Sequence, residues 1–383
     1  MKRSIERILT THTGSLPRPE KLAALMVAKE RGEPVDASLL AGTIQETVTE
    51  IVQKQITMGI DVVSDGEMSK IGFANYVKDR LTGFEGASNS TVAQDVLDFP
   101  DLRVRMFRRN EGKESRYFTP ACTGPITLRD REAVHEDIAH LKTALEGHEV
   151  ADAFLPAASP GTIAQAMENT YYPTQEAYLY ALADAMRDEY QAIAAAGFLL
   201  QLDCPDLAMQ RHTRFAHDSL ESFRRQVQQN IEVLNYAIQG IPPEQVRIHV
   251  CWGNYPGPHH RDVPLEDLLD LIFSIHGNGL SIEAANPRHE YEWRVFEKAR
   301  LPEGKVLIPG VIDTCSTYIE HPETVAQRLI RFAGVVGREN VIAGTDCGFG
   351  TFLETSILAP GVAWAKLQSV VEGARLASQH LWP

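Results

Sequence analysis

Eight short apolar runs, each followed by a segment of helical period, constrain this chain more than any other feature. The runs cover residues 8–14, 60–66, 151–158, 198–204, 246–252, 279–284, 305–312 and 340–346. Runs of this length, bounded by Gly, Pro and polar residues, read as buried strands. Between them apolar residues recur every three or four positions. Within 36–58, Leu40, Ile44, Val48, Ile51 and Ile56 fall on one helical face. Further helices are expected at 19–31, about 130–146, 174–196, 218–239, 264–275, 288–299, from Pro322 to about 336, and 361–380. Strand–helix repeats of this kind build a parallel sheet. Eight of them close into a single (β/α)8 TIM-type barrel more readily than they stay open. An open doubly wound sheet is the alternative, but no Gly-x-Gly-x-x-Gly follows the first run.

The whole chain, 1–383, reads as one barrel domain, with an accessory excursion at about 68–150 after the second strand. The excursion is charged and aromatic (Phe73, Tyr76, Phe84, Phe99, Phe107), and 117–127 reads as an accessory strand or hairpin. A formal net charge of −14, spread along the chain, argues against a nucleic-acid surface and against attraction to anionic lipid. No apolar stretch approaches the length of a bilayer span, and no signal region follows Met1–Glu6. The expected location is the cytoplasm. Five cysteines, an odd and sparse set, do not suggest a disulfide framework, so metal ligation is the first chemistry to consider for them.

In a barrel, chemistry gathers at the C-terminal ends of the strands. The fifth run ends in His249-Val250-Cys251. Residues two apart in a strand point to one face, so the imidazole and the thiol converge. The sixth run ends at Glu283 and the eighth at Cys347. Ser15, Glu67, Asp203 and Asp313 end other runs. If the barrel closes, His249, Cys251, Glu283 and Cys347 make a nitrogen, sulfur, oxygen, sulfur set suited to Zn2+. Pro256–His260 contains two histidines but reads as the loop after the fifth strand, not as a metal site.

These residues resemble the cobalamin-independent methionine synthase family, specifically its catalytic C-terminal barrel and the short single-barrel proteins related to it. The matching pieces are Thr13–Pro17, Asp65–Glu67, Gln201–Pro205, His249–Cys251, Ile282-Glu283, Gly310–Asp313 and Thr345–Gly348. The resemblance implies one catalytic zinc held by His249, Cys251, Glu283 and Cys347. It implies that Thr13 and Ser15 meet the anionic end of an amino-acid thiol, and that Glu67 and Asp203 hold its ammonium. It further implies a thiol, homocysteine or similar, activated as a zinc thiolate for attack on a methyl donor, with Glu283 the exchangeable ligand. The product is a thioether such as methionine.

The chain departs from the family in three places. A second, N-terminal barrel that helps bind folate is missing. The family's Asp-x-His after the seventh strand is here Asp313-Thr314-Cys315, so a cysteine stands where a proton-donating histidine is proposed. The folate-stacking Trp of the synthase has no counterpart near 154–172, where Tyr171 and Tyr172 are the aromatic candidates. Candidate proton donors to the leaving group are therefore Cys315, Asp313 and His12. One alternative function within the resemblance is the zinc-dependent epoxyalkane:coenzyme M transferase activity. Its sulfonate thiol favours cations, for which Arg18 and Lys70 are candidates. A non-catalytic zinc-binding barrel is the alternative of another class. The residues leave open the methyl or alkyl donor, a corrinoid protein as its carrier, and assembly into a homo-oligomer.

Overall fold

The computed structural model describes residues 1–89, 91–109, 119–353 and 358–383. Strand β1 (Leu9–Thr10) leads through α1 (Glu20–Glu30) and α2 (Ala37–Met58) to β2 (Val62–Ser64). The excursion then runs through α3 (Val77–Arg80), β3 (Phe84–Glu85), α4 (Gln94–Leu97), α5 (Pro100–Arg109), β4 (Ala121–Cys122) and α6 (Glu132–Leu145). Next come β5 (Asp152–Ala158), α7 (Pro160–Ala166), α8 (Gln175–Ala195), β6 (Leu199–Asp203) and α9 (Leu220–Ala237). They are followed by β7 (Val246–Val250), α10 (Leu269–Phe273), β8 (Gly279–Ile282) and α11 (Val295–Lys298). The chain ends with β9 (Val306–Pro309), α12 (Pro322–Val336), β10 (Ile342–Ala343) and α13 (Pro360–Leu381).

Parallel pairing runs in the order β2-β5-β6-β7-β8-β9, and β1 pairs with β10. Parallel bridges Leu307–Val341 and Gly310–Gly344 join β9 to the β10 segment. The Asp61 N–H donates to Thr10 O (3.1 Å), joining the β2 segment to β1. The curled sheet is thereby closed into the expected TIM-type barrel. The strands are shorter than their apolar runs. At their C-terminal ends the backbone N–H groups leave the ladder for side chains: Ala284 and Ala285 donate to Asp346, and Trp252 to Glu283.

Helix boundaries follow local chemistry. Asp36 caps α2 by accepting from Ser38 and Leu39 N–H groups, and Gly59 ends it at φ 97°, where a side chain would be strained. Thr174 and Ser219 cap α8 and α9. Helix α7 was not expected, although Ser159-Pro160 announces it: the Ser caps, and Pro occupies the first turn. The helices expected at 264–275 and 288–299 break into 3-10 turns and the short α10 and α11. Here side chains compete for the backbone, as where Glu292 accepts from Leu265 N–H (2.8 Å).

From floor to mouth, the barrel interior changes character. Leu9, Val306, Ile308 and Ile342 pack at the floor, beside Val62, Phe154 and Leu199, with Met1 against both groups. Above them the buried Arg247 crosses the barrel to Thr11 Oγ1 (3.1 Å) and His12 O (2.9 Å). Polar groups dominate from there upward.

The excursion is anchored by charge. Buried Arg80 pairs with Asp137 of α6 (2.5 Å) and Glu189 of α8 (2.8 Å), and the Tyr76 hydroxyl also donates to Glu189 (2.7 Å). Removing one member of such a buried set typically costs about 3–5 kcal/mol. As expected, part of 117–127 is a hairpin strand: β4 pairs antiparallel with β3. Residues 117 and 118 of that span lie outside the described ones. No described helix is long and apolar enough to cross a membrane.

Candidate active site and metal centre

Arg247, His249 and Cys251 alternate inward from β7, so the imidazole and the thiol rise above the guanidinium. His249 Nε2 lies 3.5 Å from Cys347 Sγ, and Cys347 Sγ lies 3.0 Å from Cys251 Sγ. Both thiols are free, at a separation well beyond the roughly 2.05 Å of a disulfide bond. One ligand atom from each of His249, Cys251 and Cys347 lies within 4.8 Å of the others, and all three residues are buried. Glu283 borders this cluster. Its Oε1 accepts from Trp252 N–H (2.8 Å) and its Oε2 from Asn286 Nδ2 (3.3 Å).

The electrostatics fit a bound cation. Burial, then Arg247, pulls the His249 imidazole down to about 3, so the ring is neutral and able to ligate. The Cys251 thiol is pulled down by Cys347, but burial and Glu283 outweigh that and leave it raised. Contact with Cys251 and burial raise Cys347. Two thiols beside a buried carboxylate stay protonated unless a positive charge joins them, and a metal ion supplies one. The buried Nδ1 of His249 has no hydrogen-bond partner among the described residues. An imidazole, two thiols and an adjacent carboxylate suit zinc.

A second acidic group lies towards β2 and β6. Glu67 is one of two non-glycine residues at positive φ among those described (60°). Burial pushes its carboxyl up to about 7, against Lys70 and Arg18. Burial, then Glu67, raises Asp203 well above the carboxylate range. Glu67 Oε2 is buried without a partner. The pair is therefore short of one cation.

The two expected cations are already engaged. Arg18 donates to the carbonyls of Gly350 (2.7 Å), Glu67 (2.9 Å) and Lys70 (2.7 Å). Lys70 Nζ donates to Pro156 O and lies 4.4 Å from the centre of the Tyr76 ring.

Beyond the metal cluster opens a cavity of about 280 Å3, lined in part by Glu283, Cys347, Asp346, Asp313, Cys315, Asn254 and His259. Glu67 and Asp203 do not line it. Asn254 is its hub: its Oδ1 accepts from Thr314 and Cys315, and its Nδ2 donates to Gly348 O and Thr351. Asp313 Oδ1 accepts from Cys315 N–H (2.8 Å). Asp346 takes the N–H groups of Ala284, Ala285 and Asn286, which orients the segment after Glu283.

Two expected roles do not match the geometry. His12 Nδ1 accepts from Gly14 N–H (3.1 Å), and its Nε2 bonds to Gln55 of α2 (2.8 Å). The ring thus braces the turn from the helical side and does not face the mouth as a proton donor. Thr13 cannot offer its N–H and hydroxyl to a substrate, because both are held by Thr345 (3.1 and 2.9 Å) at the β1–β10 seam. Ser15 stays at the mouth, with Oγ accepting from Gly350 N–H (3.3 Å) and its own N–H given to Glu67. Tyr172 is half-buried and stacks on Tyr178 at 5.8 Å, its hydroxyl accepting from Ile126 N–H, and the exposed Tyr171 meets it edge-on at 5.1 Å. His259, read from the sequence as part of an ordinary loop, lines the cavity and pairs with Asp262, which also meets His289. The signal available was a His-Asp pair three apart near the metal strand.

Comparison with known proteins agrees with this architecture. The B12-independent methionine synthase from Shewanella sp. W3-18-1, solved in complex with selenomethionine, superposes with a TM-score of 0.74 at 20% identity, covering 98% of this chain and 99% of that one. The methionine synthase of Saccharolobus islandicus is 25% identical over 376 residues, 97% of this chain and 95% of its own. That of Sulfurisphaera tokodaii is 25% identical over 375 residues, 97% and 93% respectively. Residues 157–374, which carry every member of the metal cluster, match the description "Cobalamin-independent synthase, Catalytic domain", and the chain belongs to that family.

Proposed function

We propose that the protein is a zinc-dependent thiol S-methyltransferase that methylates homocysteine or a closely similar amino-acid thiol, acting as one barrel domain. The observation that carries this reading is the pairing of two sites: the His249/Cys251/Cys347 cluster and the cation-deficient Glu67/Asp203 pair. His249, Cys251 and Cys347 would hold the zinc, with Glu283 as the fourth, exchangeable ligand. Zinc there supplies Lewis acidity that keeps a thiol ionised at neutral pH, where a free thiol with a pKa of about 8.5 is mostly protonated.

The chain's own groups do the rest. Glu67 and Asp203 receive the substrate ammonium, whose charge lets both carboxyls ionise. Ser15 lies beside them and meets the other polar end. The cavity lined by Asn254, Asp313 and Cys315 receives the methyl donor and excludes water around the transferred carbon. Arg18 and Lys70 are committed to carbonyls and an aromatic ring, which favours an ammonium-bearing thiol over a sulfonate one.

The test combines metal analysis with a thiol panel. Purified wild-type protein should hold about one zinc per chain, and Cys251→Ser and Cys347→Ser should lose it. Homocysteine should release a proton on binding, whereas coenzyme M should not. Coenzyme M binding in place of homocysteine would reverse the substrate assignment, and a wild-type protein without zinc would remove the metal from the reading.

A further inference from the structure

The loop that closes over the cavity holds a charged cluster that the reading above does not use. Of the described residues lining the cavity, His259 alone carries an imidazole. Its residue is buried, with 6% of its surface exposed, and its backbone sits at φ 55°. A left-handed conformation is strained for a non-glycine residue and persists only when the surroundings hold it. Here they do. Its backbone N–H donates to Asp95 Oδ2 of α4 (2.9 Å), and its ring lies 4.6 Å from that of Tyr255.

Both ring nitrogens face acceptors. Nδ1 is 2.8 Å from Asp262 Oδ2, and Nε2 is 3.0 Å from the backbone carbonyl of Tyr255. A carbonyl and a carboxylate both only accept, so the ring satisfies both when it carries two protons. Asp262 is shared: its Oδ2 also meets His289 Nε2 (2.9 Å), and its Oδ1 lies 3.1 Å from His212 Nδ1. Glu292 takes the other nitrogen of His289 (2.8 Å). The groups facing His259 are thus Asp262, Asp95 and Tyr255, with His212, His289 and Glu292 behind them and Glu283 lining the same cavity. Burial opposes the charge on His259, but Asp262 outweighs it and raises the imidazolium to about 9. The alternatives at the mouth are weaker. Cys315 gives its proton to Asn254, and burial, then Asp313, pushes its thiol far up.

We propose that His259 is the acid that protonates the leaving nitrogen when the methyl group comes from a tertiary amine, an inference that rests on the S-methyltransferase reading with a donor of that class. The substrate sulfur forms a bond to the methyl carbon as the carbon–nitrogen bond of the donor breaks. The electron pair of that bond stays on the donor nitrogen. The Nε2 proton of His259, held in the resting protein by Tyr255 O, passes to that nitrogen. The ring is left neutral with Nδ1–H still on Asp262, and it regains a proton from water. The proton shed by the thiol balances the one delivered.

The test uses the zinc-loaded full chain, homocysteine and two donors. In a 5-methyl-tetrahydropteroylglutamate the leaving nitrogen must be protonated. In trimethylsulfonium the leaving dimethyl sulfide needs no proton. His259→Gln should lose about 100-fold or more in kcat with the nitrogen donor and under about 3-fold with the sulfonium, because general-acid contributions have that size. Equal losses with both donors would show a merely structural role and overturn the proposal. A second measurement needs no turnover. Nitrogen-15 NMR of histidine-labelled protein, assigned by difference from His259→Gln, should show both ring nitrogens of His259 protonated at pH 8. Asp262→Asn should bring its titration down. A neutral His259 ring at pH 7 would overturn the proposal. If homocysteine is not bound at all, the function reading fails, and the NMR result still decides whether His259 carries the proton.

Discussion

Tyr255 and Asp95 lie 160 residues apart in the chain and share a hydrogen bond of 2.7 Å. The same carboxylate oxygen takes the backbone N–H of His259 at 2.9 Å. Nearby, Asp98 reaches His260 (2.9 Å) and Arg261 (2.6 Å). The excursion after β2 is therefore not an ornament on the barrel. It clamps the loop after β7 into the shape that walls the cavity.

Asp95→Ala should expose this dependence. It leaves the His259 N–H unpaired and the Tyr255 hydroxyl with only His212 Nε2 at 3.3 Å, at a cost of about 1–3 kcal/mol. Hydrogen exchange in 253–263 should quicken, and turnover should fall by roughly 10-fold or more, because small misplacements at a reacting centre are costly. Zinc content and homocysteine affinity should stay at wild-type values. Unchanged exchange in that loop would contradict the clamp.

Glu67 makes both stability and binding depend on pH. Its carboxyl titrates at about 7 in the folded chain against an ordinary 4.5, burial being the main cause. The unfolded chain releases this proton near 4.5, while the folded one keeps it until about 7. Its contribution to stability is complete below 4.5 and is lost as pH rises through 7. The melting temperature of the substrate-free protein should decline across that window, and Glu67→Gln should flatten the decline. Homocysteine binding should tighten as pH rises through 7. Glu67→Gln should weaken it about 10- to 100-fold, read by calorimetry.

Cys315 is expected to matter little for rate. Its thiol is turned to Asn254 Oδ1 at 3.0 Å, and the residue lines the cavity proposed for the methyl donor. Cys315→Ala should alter KM for the methyl donor and lower kcat by less than about 3-fold, well short of a general acid's contribution. A loss near 100-fold in steady-state assays would return the proton-donor role to this position.

The barrel and the meeting of His249, Cys251 and Cys347 were legible because each rests on a local rule. An apolar run ends, a polar residue follows, and closure brings such ends together. His249, Cys251 and Cys347 needed nothing more. Glu67 and Asp203 were legible through the resemblance, but their shared shortage of charge is visible only once burial is known. What escaped the sequence depends on distant partners. His259 looked like one histidine of an ordinary loop, and its importance rests on Asp95, Asp262 and a left-handed backbone. His12 and Thr13 looked substrate-facing because they precede Gly14-Ser15. Gln55 and Thr345, far along the chain, turn them into scaffolding. The broken helices near 264 and 288 fail for the same reason, since Glu292 and Leu265 meet only in three dimensions.

Cys347 of the His/Cys/Cys cluster lines the cavity, and Glu67 and Asp203 stand apart from it. On the methyltransferase reading, two reactants held in separate compartments would have to be present together, with the cluster as the wall they share. Under that reading neither would hand its group to the protein, leave, and let the other enter. Double-reciprocal plots for the two substrates should therefore intersect to the left of the axis instead of running parallel. No methylated form of the protein should accumulate when the methyl donor is supplied alone.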